Sequence, residues 1–128
     1  MANSNITQAE IDSLRESLKR CSPDTVEAAI AYRETGDTSL VPGIVTGIIE
    51  RFLEPDVKPL IRADNDSLRL FDDLGVDSLT MMEIVILVEE TLGISVENEE
   101  LRGLQSIGDI KGFIHQKLGG EPGGDRRV

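Results

Sequence analysis

Apolar residues recur at helical spacing along most of this chain, and the places where the recurrence fails mark its joints. Ile11, Leu14, Leu18 and Cys21 share one face of a first helix. The stretch CSPDTVEAAIAYRETG then offers Ser22 as an N-cap, Pro23 at the first helical position, Val26, Ala29 and Ile30 as an apolar set, and Gly36 as a stop. Residues 1–40 are therefore expected to form a helical hairpin, set apart as an extension. In SLVPGIVTGIIERFLEP, Val45, Ile48, Ile49 and Phe52 form the next helical stripe, with Pro55 expected to end it. Between Pro55 and Asp77 the periodicity fails. Pro59, the run ADNDS and Gly75 punctuate scattered Leu60, Ile61, Leu68, Leu70, Phe71 and Leu74. A connection this long inside a compact domain is either functional or conceals an element.

The recurrence resumes at Ser78 and runs to Leu92, where Gly93 closes the helix. VENEELRGL holds one short helical turn or two. In SIGDIKGFIHQKL a last helix carries Ser106 and Asp109 at capping-box spacing and Ile107, Ile110, Ile114 and Leu118 as its stripe. Gly108 and Gly112 weaken that helix unless they admit a close neighbour. The final GGEPGGDRRV, residues 119–128, has no apolar period and is expected to be a disordered tail. With no strand pairs or internal repeats in view, the expectation is a small all-α bundle: a domain over residues 41–118 preceded by the hairpin.

The helix after Ser78 has two apolar faces. Met81, Ile84, Val85, Val88 and Leu92 make a core stripe, while Leu79, Met82 and Ile86 lie opposite, interleaved with Glu83, Glu89 and Glu90. Glutamates are costly to bury without partners, so this second face reads as an exposed apolar and acidic strip for docking a basic, partly apolar groove. The competing reading is a solvated face whose apolar residues the N-terminal hairpin covers.

Charge sharpens the picture. The 128 residues carry a formal charge of −11, and from Leu70 to Glu100 the acids Asp72, Asp73, Asp77, Glu83, Glu89, Glu90, Glu97, Glu99 and Glu100 occur with no Lys or Arg. Such a chain is expected to avoid nucleic acid and anionic membrane surfaces and to attract proteins with basic patches. Aromatics make up only 3% of the chain, so no base-stacking surface is expected and the core must be aliphatic. No aliphatic run is long enough to span a bilayer and MANSNITQAEIDS lacks a basic segment followed by an apolar one, which gives a cytoplasmic expectation. Cys21 and His115 are each alone in their kind, so neither an internal disulfide nor a soft-ligand metal site is expected.

Ser78 carries the remaining question. Either Asp77 or Ser78 can cap the helix. A nucleophilic serine needs a base, yet nothing ties His115 to Ser78, and LGVDSLT lacks the G-x-S-x-G elbow. The acids Asp72, Asp73 and Asp77 have no partner in the sequence that would shift their pKa for acid–base work. DNDSLRLFDDLG begins like a calcium loop but has Arg69 where glycine is required and Gly75 where the closing glutamate belongs.

The run DDLGVDSLTMMEIVILVEE resembles the acyl carrier protein family, whose signature is a D-S-L tripeptide opening an acidic second helix. The resemblance covers about residues 41 to 118 and implies a four-helix bundle of three longer helices and one short one. It implies that Ser78 is esterified to 4′-phosphopantetheine from coenzyme A by a separate phosphopantetheinyl transferase, and that the arm's terminal thiol, not Cys21, holds acyl cargo as a thioester. It implies that Asp77 and Leu79 flank the attachment point for recognition. Met82, Glu83, Ile86, Glu89 and Glu90 would dock acyl-transferring and acyl-modifying enzymes, and the chain would be a monomeric shuttle without catalysis of its own. Val45, Ile49, Leu70, Ile84, Val88, Leu101, Leu104, Ile107 and Ile110 would line a core able to part for the acyl chain. Thr80 departs from the acidic residue often found there. Aminoacyl or peptidyl carriage and a prosthetic-group-free interaction module are the alternatives. Residues 1–40 have no counterpart in the resemblance; they either pack on the carrier and restrict its partners or hang from it loosely.

Overall fold

Caps and glycines set the helix boundaries. The computed structural model describes residues 6–62 and 66–118. The expected tail at 119–128 lies outside the described residues. Helix α1 spans Gln8–Ser17 and opens with a capping box: Glu10 N–H donates to Thr7 Oγ1 at 3.1 Å, and Thr7 N–H to Glu10 Oε1 at 2.9 Å. Helix α2, Pro23–Thr35, starts at Ser22 as its cap and ends at Gly36, whose φ of 75° suits glycine. A 3₁₀ turn at Thr38–Leu40 then leads into α3, Val41–Arg51.

Helix α3 ends before Pro55, contrary to the sequence expectation. Phe52 N–H bonds back to Ile49 O at 3.0 Å and Leu53 N–H to Glu50 O at 3.1 Å, a tightened last turn that lets Leu53 enter the core. A further short helix, α4, Lys58–Arg62, lies inside the stretch expected to be irregular. Pro59 does not break this helix, because a proline in the first helical turn forfeits no intrahelical bond. Ile61 of α4 is buried.

Helix α5 spans Ser78–Leu92, α6 is the single turn Asn98–Leu101, and α7 is Ile107–Lys117 with the expected Ser106–Asp109 capping box. Among the described residues the only strand-like pairing is one antiparallel bridge between Arg69 and Ser106. The expected all-α bundle is thus present, with α3, α5 and α7 as longer helices and α6 as the short one, enlarged by α4, α1 and α2.

A single aliphatic core runs through all of it: Leu14, Leu18, Ala29 and Ile30 of the hairpin join one cluster with Ile44, Ile48, Ile84, Val88 and Ile110. At the seam between α2 and α3 a Cβ on Gly47 would collide with the Thr25 side chain, so glycine there lets the two helices meet. Leu87 and Thr91, which belong to neither expected face of α5, are buried, and Arg33 of α2 donates to Thr91 O at 3.4 Å. The hairpin therefore claims a third face of α5. It leaves the strip of Leu79, Met82 and Ile86 in the open at 71%, 42% and 49% exposure.

Candidate functional site

The irregular segment before α5 is pinned to α7 by backbone pairing. Leu70 N–H donates to Gln105 O at 2.9 Å, Ile107 N–H to Leu68 O at 3.0 Å and Gly108 N–H to Asp66 O at 2.8 Å. A Cβ on Gly108 would stand 3.1 Å from Asp66 O, so the close approach needs glycine there. Gly112 has open space instead. Leu70, Leu74 and Val76 plunge into the core, Asp73 accepts from Arg69 N–H at 2.8 Å, and Gly75 turns the chain at φ 72°. These anchors deliver the next two residues to the tip of α5.

Asp77 is the N-cap: its Oδ1 accepts from Thr80 N–H at 2.7 Å. That bond, with a further one from the Thr80 side chain, holds the Asp77 carboxyl below its usual pKa. Ser78 is then the first helical residue, exposed and relieved of capping. It stands on a cleft of about 480 Å³ whose apolar lining includes Phe71, Met81, Met82, Leu101 and Leu104. Arg69, Asp72, Arg102 and Gln105 complete that lining. Arg69 reaches Asp72 Oδ2 at 3.3 Å and Gln105 Oε1 at 2.6 Å. Neither Arg69 nor Arg102 stood out in the sequence as belonging with Ser78, because the loop and α6 meet only in the fold.

Met81 and Leu104 also face inward. They line a small apolar seam of about 20 Å³ with Ile84, Val85, Val88, Val96, Ile110, Phe113 and Ile114, room for about one water. Met81 and Leu104 thus line both the cleft at Ser78 and the interior between α5 and α7.

On the outer face, Leu79, Met82, Glu83, Ile86 and Glu90 are exposed together. Glu89 departs from them: half-buried, it accepts from Val96 N–H at 2.8 Å and ties the loop after α5 back to the helix. The cleft lining around Ser78 contains no histidine, and His115 lies on a separate small cleft with Thr38, Val41 and Lys111. Among the described residues no His, Cys, Asp or Glu cluster could hold a metal ion, and no helix is long and apolar enough to cross a membrane.

Fold and site define a small helical bundle with a serine at the tip of an acidic helix. Comparison with known proteins agrees: the family described as "Phosphopantetheine attachment site" matches residues 44–114, more than half of the chain. An acyl carrier protein of Rhodococcus erythropolis is 48% identical over 50 residues, 39% of this chain and 54% of its own length. A meromycolate extension acyl carrier protein of Mycolicibacterium aurum is 45% identical over 47 residues, 37% of this chain and 47% of its own. The chain thus spans about half the length of these two relatives. The acyl carrier protein MbtL of Mycobacterium sp. (strain MCS) aligns over 91 residues at 26% identity, covering 71% of this chain and 98% of its own. No solved structure matches. This chain belongs to the phosphopantetheine-binding acyl carrier protein family, whose prosthetic group is a covalently attached phosphopantetheine.

The residues present fit that group. An exposed hydroxyl at Ser78 adjoins a cleft with an apolar lining for the arm, and Arg102, exposed on the same cleft, suits a phosphodiester, while Arg69 there is paired with Asp72.

Proposed function

We propose that the chain is an acyl carrier that receives its phosphopantetheine on Ser78 and delivers acyl intermediates to enzymes of fatty-acid or specialised lipid and polyketide synthesis. The observation that supports it is the position of Ser78: first residue of α5, uncommitted to capping, beside a cleft that shares Met81 and Leu104 with the apolar interior. When bound, the group supplies a terminal thiol that carries cargo as a thioester. Asp77 fixes the first turn and so the direction in which the Ser78 hydroxyl points. Phe71, Met82 and Leu101 keep water from one side of the cleft, and Arg102, exposed on its lining, is placed to meet negative charge. Outward movement of Met81 and Leu104 would join the cleft to the seam, sheltering methylenes whose hydration costs about 0.8 kcal/mol each.

Leu79, Met82, Glu83, Ile86 and Glu90 form the docking strip for the transferase and for acyl-handling enzymes. Glu89 supports that strip by fixing the loop behind it. Mostly electrostatic docking gives fast encounter and ready release, as a shuttle requires. The names of the relatives, one of them for meromycolate extension, favour lipid cargo over aminoacyl cargo.

Incubating the chain with coenzyme A and a broad-specificity phosphopantetheinyl transferase is expected to add one phosphopantetheinyl mass, and Ser78→Ala to prevent it. An unchanged mass, under conditions that load a control carrier, leaves an interaction module instead. Efficient loading with aminoacyl but not acyl groups would move the chain to peptide synthesis.

A further inference from the structure

The docking strip of α5 does not stand alone. A second cleft, of about 570 Å³, runs along its flank. One wall is α5 itself, with Glu83 and Glu90 above Ile86 and the buried Leu87. The other is built by Arg51 and Phe52 at the end of α3 and by Arg20 in the turn of the N-terminal hairpin.

The two walls carry opposite charge without neutralising one another. Among the described residues, none of Arg20, Arg51, Glu83 and Glu90 takes part in an ion pair. Arg51 instead lies over the Phe52 ring, 4.3 Å from its centroid, which steadies its guanidinium at the wall. The floor between the walls is apolar: Leu87, Ile86 and the half-buried Phe52. Along α5, Glu83 to Glu90 lie about 8 to 18 Å from Ser78 at 1.5 Å per residue, so a protein seated there has the serine within its footprint.

We propose that this cleft is a selective docking site for a partner enzyme's surface segment whose apolar side chain is flanked by a carboxylate and a cation. The carboxylate meets Arg20 and Arg51, the cation meets Glu83 and Glu90, and the apolar side chain sits on Ile86, Leu87 and Phe52. The inference rests on the reading of α5 as the docking helix. What selects the occupant is charge complementarity. A wholly basic segment would match α5 but face two guanidinium groups across the cleft, and a wholly acidic one would face two carboxylates. Only a mixed segment satisfies both walls. Because Arg20 comes from the hairpin, the extension acts as a filter that turns an acidic docking face into a two-signed one.

The test uses the full ¹⁵N-labelled chain and two synthetic helical peptides of equal length. One carries Glu and Arg on either side of a central Leu; the other has Lys in place of that Glu. Amide-shift titrations at physiological salt give the ratio of their affinities. Reversing both cations, Arg20→Glu with Arg51→Glu, is expected to lower the ratio of Glu peptide to Lys peptide roughly fivefold, as the loss of two exposed charge pairs implies. The shifted amides should include Arg20, Phe52 and Ile86. If the double variant unfolds, Arg20→Gln, at an exposed position, must still lower the ratio. A ratio unchanged by these variants, or shifts confined to other surfaces, overturns the proposal. Loading of Ser78 is followed by mass on the same variants. Normal loading with an unchanged ratio defeats only the cleft, whereas absent loading in the parent chain defeats the carrier reading.

Discussion

The two flanks of α5 are built to opposite ends. On one side the hairpin and α3 are interlocked: Leu18, Ala29, Ile44, Ile48 and Ile49 are fully buried, and at Gly47 there is no room for even a methyl group. On the other side stands α6, one turn long, with Leu101 only partly buried, a cleft at Ser78 and an apolar seam beneath it. A closely packed interface resists small displacements because every side chain loses contacts at once. A single-turn helix held by a few bonds does not. The difference teaches where the molecule can open. The hairpin braces α5 from behind, so under the proposed carrier function room for cargo comes from the α6 side.

The largest test applies the same truncation to both flanks. Leu18→Ala, in the interlocked side at 0% exposure, is expected to cost about 3–5 kcal/mol of unfolding free energy. Leu104→Ala, at 6% exposure beside the seam, should fall near the low end of the range, about 2 kcal/mol, because its neighbours can close on the space. Chemical denaturation of the two variants compares them directly. A greater loss at Leu104 would show that the α6 flank is the rigid one.

Next in size is Gly47→Ala. Helix propensity alone predicts a gain of up to about 1 kcal/mol, since Gly47 lies inside α3. The collision with Thr25 opposes it, and overpacking of this kind costs about 1–3 kcal/mol. A net loss of stability is expected. Adding Thr25→Ala should recover most of it, because the obstruction is that side chain. Independent, additive effects of the two substitutions would mean that the flanks of the Gly47 seam are not in contact.

What could be read from the sequence was local. Ser22, Gly36 and the Ser106–Asp109 box act within one helical turn, so residue type and spacing were enough to place them. The core stripe of α5 was legible for the same reason. Its third face was not: Leu87 and Thr91 are buried, Thr91 O accepting from Arg33 of a hairpin more than fifty residues away in the chain, and no period in α5 announces that. Helical spacing alone groups Glu89 with the exposed acids. Its bond to Val96 depends on how the loop after Gly93 folds back. The cleft beside Ser78 was invisible for a similar reason, since the Leu70–Gln105 and Ile107–Leu68 bonds that assemble it join distant segments. Helix α4 is not legible from residue type alone, because Pro59 starts a helix as readily as it breaks one.

A smaller effect separates packing from polarity on the braced flank. Thr91 is fully buried and, among the described residues, its Oγ1 has no hydrogen-bond partner. Valine has nearly the same shape without the orphaned hydroxyl. Thr91→Val is therefore expected to raise stability by about 1 kcal/mol, read as a higher thermal midpoint. A loss instead would mean that the hydroxyl has a partner in solution and that this flank is less closed than its contacts imply.

The smallest effect is the pH dependence of the α6 side. Asp77 is held below its usual pKa by the Thr80 N–H and Asp109 by those of Gln105 and Ser106. Glu100 is lowered too, by the Glu97 N–H first and Lys117 second. A carboxylate whose pKa is lowered by folding binds more protons when unfolded. Its contribution is present above the unfolded value and is lost as pH falls through the folded one. The caps of α5, α6 and α7 should therefore weaken from about pH 4 downward. On the hairpin side the lowered acids do not tie elements together: Glu16 meets Lys19 one turn away, and Asp37 caps a three-residue turn through Ser39. In an acid titration the Thr80, Glu97, Gln105 and Ser106 amides are expected to shift while the Leu18 and Ile48 methyls keep their native positions. Asp77→Asn, which retains an acceptor oxygen but cannot titrate, should flatten the Thr80 response alone. Loss of the Leu18 and Ile48 signals before those amides move would reverse the assignment of brace and gate.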